Sequence, residues 1–227
     1  LSHDLIEGII AGAGYASDVP LYDGFPATLG SYLKRLHRWT RGDWQLIRYL
    51  GREVPTELGP AHNALGMFDR WKIFANLFRS LCAPLGLITA LLSLYMGSWP
   101  GLALALTPYV LPFVLGSWNH EALERMAFRI AIWPMEAACQ LDAIARTLYR
   151  VYSSGRNMLE WVTSADAEAQ RAQGGMRTCV LGAALCVPGL FVSGTWVCAA
   201  VLGAAFAACP WWTRWLVQRY TQPELGA

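Results

Sequence analysis

One acidic residue and a basic–aromatic cluster that follows it are the residues best suited to chemistry. The carboxylate of Asp4, next to His3, is of the type that takes the proton of an acceptor hydroxyl in an inverting glycosyl transfer. The cluster spans residues 34–45 and alternates cations with tryptophans. Because guanidinium groups bind pyrophosphate oxygens in pairs, this composition suits an anionic sugar donor.

Within the cluster, each candidate has a chemical reason. Arg35 and Arg38 carry the charge that a departing pyrophosphate needs, with His37 between them. Trp39 offers a flat face for a pyranose ring, and Trp44 could extend that surface. The alternative is a basic interfacial helix that only grips anionic lipid headgroups.

Asp4 also has simpler explanations. A carboxylate at this place is compatible with a helix cap or with a solvated charge. The spacing of His3, Asp4 and Glu7 also permits a weak metal site, although we assign no metal to this chain. The sequence has no Gly-rich phosphate loop, zinc pattern or nucleic-acid module, and therefore predicts no nucleic-acid partner. The six cysteines form no C-x-x-C pair and are interpreted as buried thiols.

Composition indicates a membrane protein. The 227 residues are 55% hydrophobic and 15% charged, whereas soluble domains carry about 25% charged residues. Residues 81–118 and 178–213 contain no charged side chain. One span needs roughly 20 apolar residues, so each block has the length of a hairpin of two spans.

The distribution of cations predicts the orientation. Lys and Arg are frequent in residues 34–52, 70–79 and 125–156, but the connections at 97–100 and 193–195 have none. Because positively charged loops remain cytoplasmic, we expect both ends and the middle section to be cytoplasmic. The fold class is therefore mainly α, a polytopic membrane protein with about four transmembrane helices and amphipathic interfacial helices.

Periodicity and turn residues predict the elements that position the candidate site. Residues 1–12 begin a helix that Gly12 and Gly14 break. Residues 29–50 have the spacing of an interfacial helix, with Gly42 as a candidate break. The other predicted segments are an extended stretch at 15–22, a turn at 23–26, a loop at 51–66, an amphipathic stretch at 67–80, and spans at about 80–97, 101–118, 177–194 and 196–213.

Several segments together resemble the glycosyltransferase domain of cyclic β-1,2-glucan synthases, which belong with processive membrane glucosyltransferases such as cellulose synthase. The matching segments are residues 1–8, 17–19, 37–45, 70–81, 141–150 and 159–168. They cover nearly the whole chain in the same order, which makes the resemblance more specific than any one motif.

This resemblance implies transfer of glucose from UDP-glucose to a growing β-1,2-glucan. It implies that Asp4 is the catalytic base, in the place of the family's Thr-Glu-Asp motif. Arg35, Arg38 and Trp39 then occupy the Q-x-x-R-W position on an interfacial helix at the mouth of a glucan channel. Arg35 replaces the glutamine and Ser-His replaces Thr-Glu, departures that match the cyclic and osmoregulated glucan branch.

The family also has parts that these residues do not supply. Its upstream α/β nucleotide-binding domain carries an Asp-x-Asp motif for UDP and a divalent metal, Mg or Mn. We therefore expect the chain to be inactive alone, with that domain missing and supplied in cis or in trans. The expected location is a bacterial inner membrane, with the catalytic side cytoplasmic. The alternatives are a synthase of linear osmoregulated periplasmic glucans and a non-catalytic membrane scaffold.

These expectations define six sections of the chain. They are the end of the catalytic domain with its interfacial helix at 1–50, a loop and amphipathic entry helix at 51–79, a transmembrane hairpin at 80–118, a cytoplasmic helical segment at 119–176, a second hairpin at 177–213, and a cytoplasmic tail at 214–227.

Overall fold

The protein is mainly helical. The computed structural model describes residues 3–14, 17–20, 28–56, 58–116, 118–154, 175–192 and 194–220. Its α-helices are α1 (Asp4–Ala11), α2 (Leu29–Gln45), α3 (Met67–Met96), α4 (Trp99–Leu115), α5 (His120–Tyr149), α6 (Gly175–Cys186) and α7 (Trp196–Tyr220). The predicted extended stretch at 15–22 lies only partly within the described residues, and the predicted turn at 23–26 lies outside them.

Local sequence explains where the helices begin and end. Thr28 caps α2 by accepting a hydrogen bond from the Ser31 backbone N–H, at 3.1 Å. Asn119 caps α5 in the same way. Gly12 ends α1 with a φ of 66°, and Gly97 ends α3 with a φ of 67°, a left-handed conformation that favours glycine.

The helix predicted over residues 29–50 differs from the prediction at its end. α2 continues through Gly42 to Gln45 and then tightens into a 3-10 helix at Leu46–Leu50. Gly42 therefore does not break the helix. It allows a close approach instead, since the ring of His3 lies only 3.3 Å from the position that a Cβ would take there.

The predicted loop at 51–66 contains an antiparallel hairpin, so that prediction was wrong in part. Strand β1 (Glu53–Thr56) pairs with β2 (Gly59–His62), and Pro55 faces Pro60 in the register. Proline is tolerated where its missing N–H faces away from a partner strand, which a two-stranded ribbon permits on both sides.

The central helix of the described structure is α5, whose middle packs against the apolar helices. Trp133 is fully buried and donates its indole N–H to the Ala83 carbonyl of α3, at 2.8 Å. Its ring contacts Tyr109 of α4, with ring centroids 4.6 Å apart. The same cluster includes Phe206 of α7. Small residues surround these rings and let the helices approach closely.

Among the described residues, two helices are long and apolar enough to cross a membrane by length and composition. They are α3, over Met67–Met96, and α7, over Trp196–Trp215. The other two predicted spans correspond to shorter helical segments. α4 has 17 residues, and α6 has 12 before it passes into a 3-10 helix at Val187–Phe191.

The contact between α6 and α5 gives a test of this packing. A Cβ added at Gly182 would lie 2.7 Å from Cγ of Pro134, whereas one added at Gly203 would make an ordinary contact of 3.4 Å with Cys186. Overpacking typically costs about 1–3 kcal/mol, so Gly182→Ala should lower the thermal unfolding temperature in detergent. Gly203→Ala is the matched control and should be neutral or stabilising. Equal unfolding temperatures for the two variants would contradict this packing.

Candidate functional site

Helix α1 presents Asp4 at its first position. His3 caps the helix, because its Nδ1 accepts the backbone N–H of Leu5 at 3.2 Å. The Asp4 side chain is exposed, and no hydrogen bond or ion pair joins its carboxylate to the rest of the described chain. Ile6 is buried against α2 and α3 and holds the helix to the body of the protein. Asp4 is therefore an accessible carboxylate on an anchored helix.

A second anchor joins the start of α1 to the last turn of α2. His3 Nε2 lies 3.4 Å from Oδ1 of Asp43, and both side chains are largely shielded, at 15% and 13% exposure. Asn76 of α3 donates its side-chain N–H to the same Oδ1, at 3.1 Å. Three elements therefore meet at one carboxylate oxygen, next to the close approach of His3 to Gly42.

The basic–aromatic face of α2 begins one turn before this junction. The guanidinium of Arg35 lies over the ring of Trp39, 4.4 Å from its centroid, and Trp39 is 53% exposed. Arg38 stands four residues before Gly42 and is half-buried. Residues four apart are neighbours on a helix, so Arg38 and the His3 contact share one side of α2.

His37 forms a contact between two helices. Its Nε2 lies 2.9 Å from Oδ2 of Asp142 on α5, and Arg146 lies 2.7 Å from the same oxygen. Burial acts to raise the pKa of Asp142, but hydrogen bonds from Arg146 and His37 outweigh it and lower that pKa. His37 therefore joins α2 to α5, and no local pattern in the sequence indicates Asp142 as its partner.

Trp44 is a core residue in this structure. Only 8% of it is exposed, and its indole N–H donates to Ser80 Oγ at 2.8 Å. It packs in the same cluster as Ile6, Ile73 and Leu77. A buried ring offers no face to a sugar, so we leave Trp44 out of the substrate site.

A buried acid also lies between α2 and α5. Tyr32 donates its hydroxyl to Glu136 Oε1 at 2.7 Å, and Glu136 is 7% exposed. Burial raises the pKa of Glu136, and the Tyr32 hydrogen bond and the charge of Arg129 oppose that rise. A buried carboxyl needs a partner, and here that partner fixes the position of α2.

The metal site considered from the spacing of His3, Asp4 and Glu7 does not form here. Both ring nitrogens of His3 face protein groups, namely the Leu5 N–H and Asp43. Within the described ranges, no group of three or more His, Cys, Asp or Glu side chains could hold a metal ion. The described residues therefore do not fit a divalent cation.

Fold and site together define a mainly helical protein of membrane-type composition, with an exposed carboxylate beside a basic–aromatic helix. Comparison with known proteins adds a relative: cyclic beta-(1,2)-glucan synthase NdvB of Rhizobium meliloti (strain 1021) is 33% identical over 195 residues, 74% of this chain. The chain is thus related to a glucan synthase, which confirms the resemblance found in the sequence. It spans 7% of that relative's length. No protein-family profile matches the chain.

The burial of Trp44 predicts that loss of its hydrogen-bond acceptor destabilises the fold. Ser80→Ala leaves the buried indole N–H without its acceptor, which costs about 1–3 kcal/mol. We expect a lower thermal unfolding temperature in detergent. Trp39→Phe is the control, because a substitution at an exposed site usually changes stability by less than about 0.5 kcal/mol. Equal unfolding temperatures for Ser80→Ala and Trp39→Phe would contradict the buried position of Trp44.

Proposed function

We propose that this chain is the acceptor side and membrane portion of a glucosyltransferase that adds glucose from UDP-glucose to a growing β-1,2-glucan. The observation that carries the proposal is the accessible Asp4 carboxylate, anchored through His3 one turn beyond Arg38 and Trp39. The relationship to a cyclic β-(1,2)-glucan synthase supports the class of reaction and favours a cyclic over a linear product.

Asp4 acts as the general base in this proposal. The acceptor hydroxyl of the glucan gives its proton to the Asp4 carboxylate while its oxygen attacks the anomeric carbon of the donor glucose. The bond from that carbon to the UDP oxygen breaks, and UDP leaves with the electron pair. A base of this kind must be exposed and free to reach the hydroxyl, as Asp4 is.

The cations of α2 act on the leaving group. Arg38, with Arg35, stabilises the negative charge that develops on the pyrophosphate. Trp39 stacks against a glucose ring of the acceptor with its exposed face. The guanidinium of Arg35 lies over one face of the Trp39 ring, which supports these roles because it keeps a cation next to the aromatic side chain.

The donor needs residues that this chain does not offer in its described part. A divalent cation that accompanies UDP would be held by a nucleotide-binding domain, in cis or in trans, since the described side chains do not fit one. We therefore route no step of the transfer through a metal in this chain. On this proposal the chain alone does not turn over.

We further propose that the chain is a multi-pass protein of a bacterial inner membrane with four spans. Besides α3 and α7, the 17-residue α4 has about the minimum length of a span, and the shorter apolar segment Arg177–Phe191 is proposed as the fourth. At 1.5 Å per residue the 30-residue α3 is about 45 Å long, more than the roughly 30 Å of hydrocarbon. Its first turns, which carry Asp69, Lys72 and Arg79, therefore lie on the cytoplasmic side with the site.

The first test removes the base. Asp4→Asn keeps the size of the side chain but cannot accept the proton, so glucose transfer should fall by about 10²- to 10⁴-fold. Binding of UDP by the native membranes should stay within about twofold. Transfer of labelled glucose into glucan, in membranes that express the variant from its own gene, measures this. Asp69→Asn is the control, and near-normal synthesis by Asp4→Asn would favour the membrane scaffold instead.

The second test separates leaving-group stabilisation from headgroup binding. Arg38→Lys keeps the positive charge but loses the paired N–H donors. We expect transfer to fall by about 10-fold or more, because one lost donor to a developing charge costs about that or more. Arg125→Lys makes the same exchange at an exposed position of α5 and should have no effect. Full activity of Arg38→Lys would mean that α2 needs only charge, as a lipid-binding helix does.

A further inference from the structure

The contact between His3 and Asp43 goes beyond the roles given to Asp4 and the α2 cations. We infer that Asp43 is a positioning residue, which acts through His3 to orient the Asp4 carboxylate toward the acceptor. This inference rests on the proposed function of Asp4. Asp43 itself touches no reacting atom in this account, since its carboxylate faces His3 and Asn76.

The two ring nitrogens of His3 have different partners. Nδ1 accepts the Leu5 N–H, so it carries no proton, and the proton of the neutral ring is on Nε2. That N–H lies on the side of Asp43 Oδ1, 3.4 Å away. Protonating Nδ1 would place a donor against the Leu5 N–H and remove the helix cap. One ring thus caps α1 and presents a donor to Asp43 in a single tautomer.

Two contacts hold α1 against the rest of the protein. α1 has eight residues, and Ile6 buries one side of it in the cluster with Trp44 and Ile73. An apolar contact holds the helix down but leaves rotation about its own axis weakly defined. The contact from His3 to Asp43 lies at the end of the helix next to Asp4 and limits that rotation.

The Asp43 carboxylate is held in place by a second helix. Asn76 donates to the same Oδ1 from α3, a separate helix, so the acceptor for His3 is fixed from two sides. Both members of the His3–Asp43 contact are largely shielded from solvent. By contrast, His120 in its pair with Glu124 is 76% exposed, and an exposed pair of that kind contributes little.

The position of a reacting group affects the rate of turnover. A misplacement of about 1 Å at a reacting group can reduce turnover by about 10²-fold. A positioning residue should therefore change kcat and leave the affinity for the donor nearly unchanged. Gly42 supports the same view, because any side chain there would press on the His3 ring.

The experiment uses two substitutions of His3 that divide its two tasks. In His3→Gln the amide N–H takes the place of Nε2 and keeps a donor toward Asp43. In His3→Asn the shorter side chain keeps an oxygen to cap α1, and asparagine is a good N-cap, but it does not reach Asp43. Asp43→Ala removes the acceptor, and Asp43→Asn keeps an acceptor oxygen. Asp69→Ala is the control for loss of an acidic side chain.

We expect Asp43→Ala and His3→Asn to lower kcat by about 10- to 100-fold, with the KM for UDP-glucose within about twofold. His3→Gln and Asp43→Asn should keep most of the activity, and Asp69→Ala all of it. Rates are measured in native membranes and divided by the amount of folded protein from size-exclusion chromatography. If Asp43→Ala does not fold, the pair of His3 variants decides.

Two results would overturn the inference. One is a kcat of Asp43→Ala within about twofold of wild type. The other is an active His3→Asn with an inactive His3→Gln, which would mean that capping alone matters. The Asp4→Asn variant distinguishes failure of this inference from failure of the proposed function. If Asp4→Asn is active, the proposed function fails. If it is inactive while Asp43→Ala is active, only the inference fails.

Discussion

Burial of the middle of α5 is the constraint on which the other contacts depend. The helix carries charges near both ends, at Glu124 and Arg146, but Trp133 in its middle is fully buried. An indole in apolar surroundings needs an acceptor for its N–H, and the Ala83 carbonyl of α3 supplies one. The apolar helices therefore pack around one ring of α5. α5 itself does not have the composition of a transmembrane span.

The same helix connects the apolar helices to the candidate site. Along α5, Glu136 holds Tyr32 and Asp142 holds His37, so α2 lies against it at two points about two turns apart. α2 in turn holds α1 through Asp43 and His3. A change in the packing around Trp133 can therefore reach Asp4 through two helix contacts. This chain of contacts connects residues far from the candidate site to the position of Asp4.

Much of this arrangement could be predicted from the sequence where the signal is local. The end of α1 at Gly12 was predictable, because glycine favours the left-handed conformation that ends a helix. The charge-free blocks likewise predict apolar helices. The hairpin was missed because Pro55 and Pro60 indicate a loop. In the structure the two prolines face each other in a two-stranded ribbon, which has no third strand whose pairing they would interrupt.

The candidate site was predictable by residue type but not by contact. Asp4 is exposed and Arg35 lies beside Trp39, which agrees with their chemistry but does not test their roles. The uses of His37 and Trp44 depend on Asp142 and Ser80, which lie on other helices. Their positions follow from tertiary packing, for which a single sequence carries no periodic signal.

The most direct test is a structure of the protein isolated from its native membrane with UDP and a β-glucan oligosaccharide bound. We predict an acceptor hydroxyl within hydrogen-bond reach of the Asp4 carboxylate, about 2.6–3.2 Å, and a glucose ring against Trp39. A glucan end that lies away from Asp4, with another carboxylate at its hydroxyl, would contradict it.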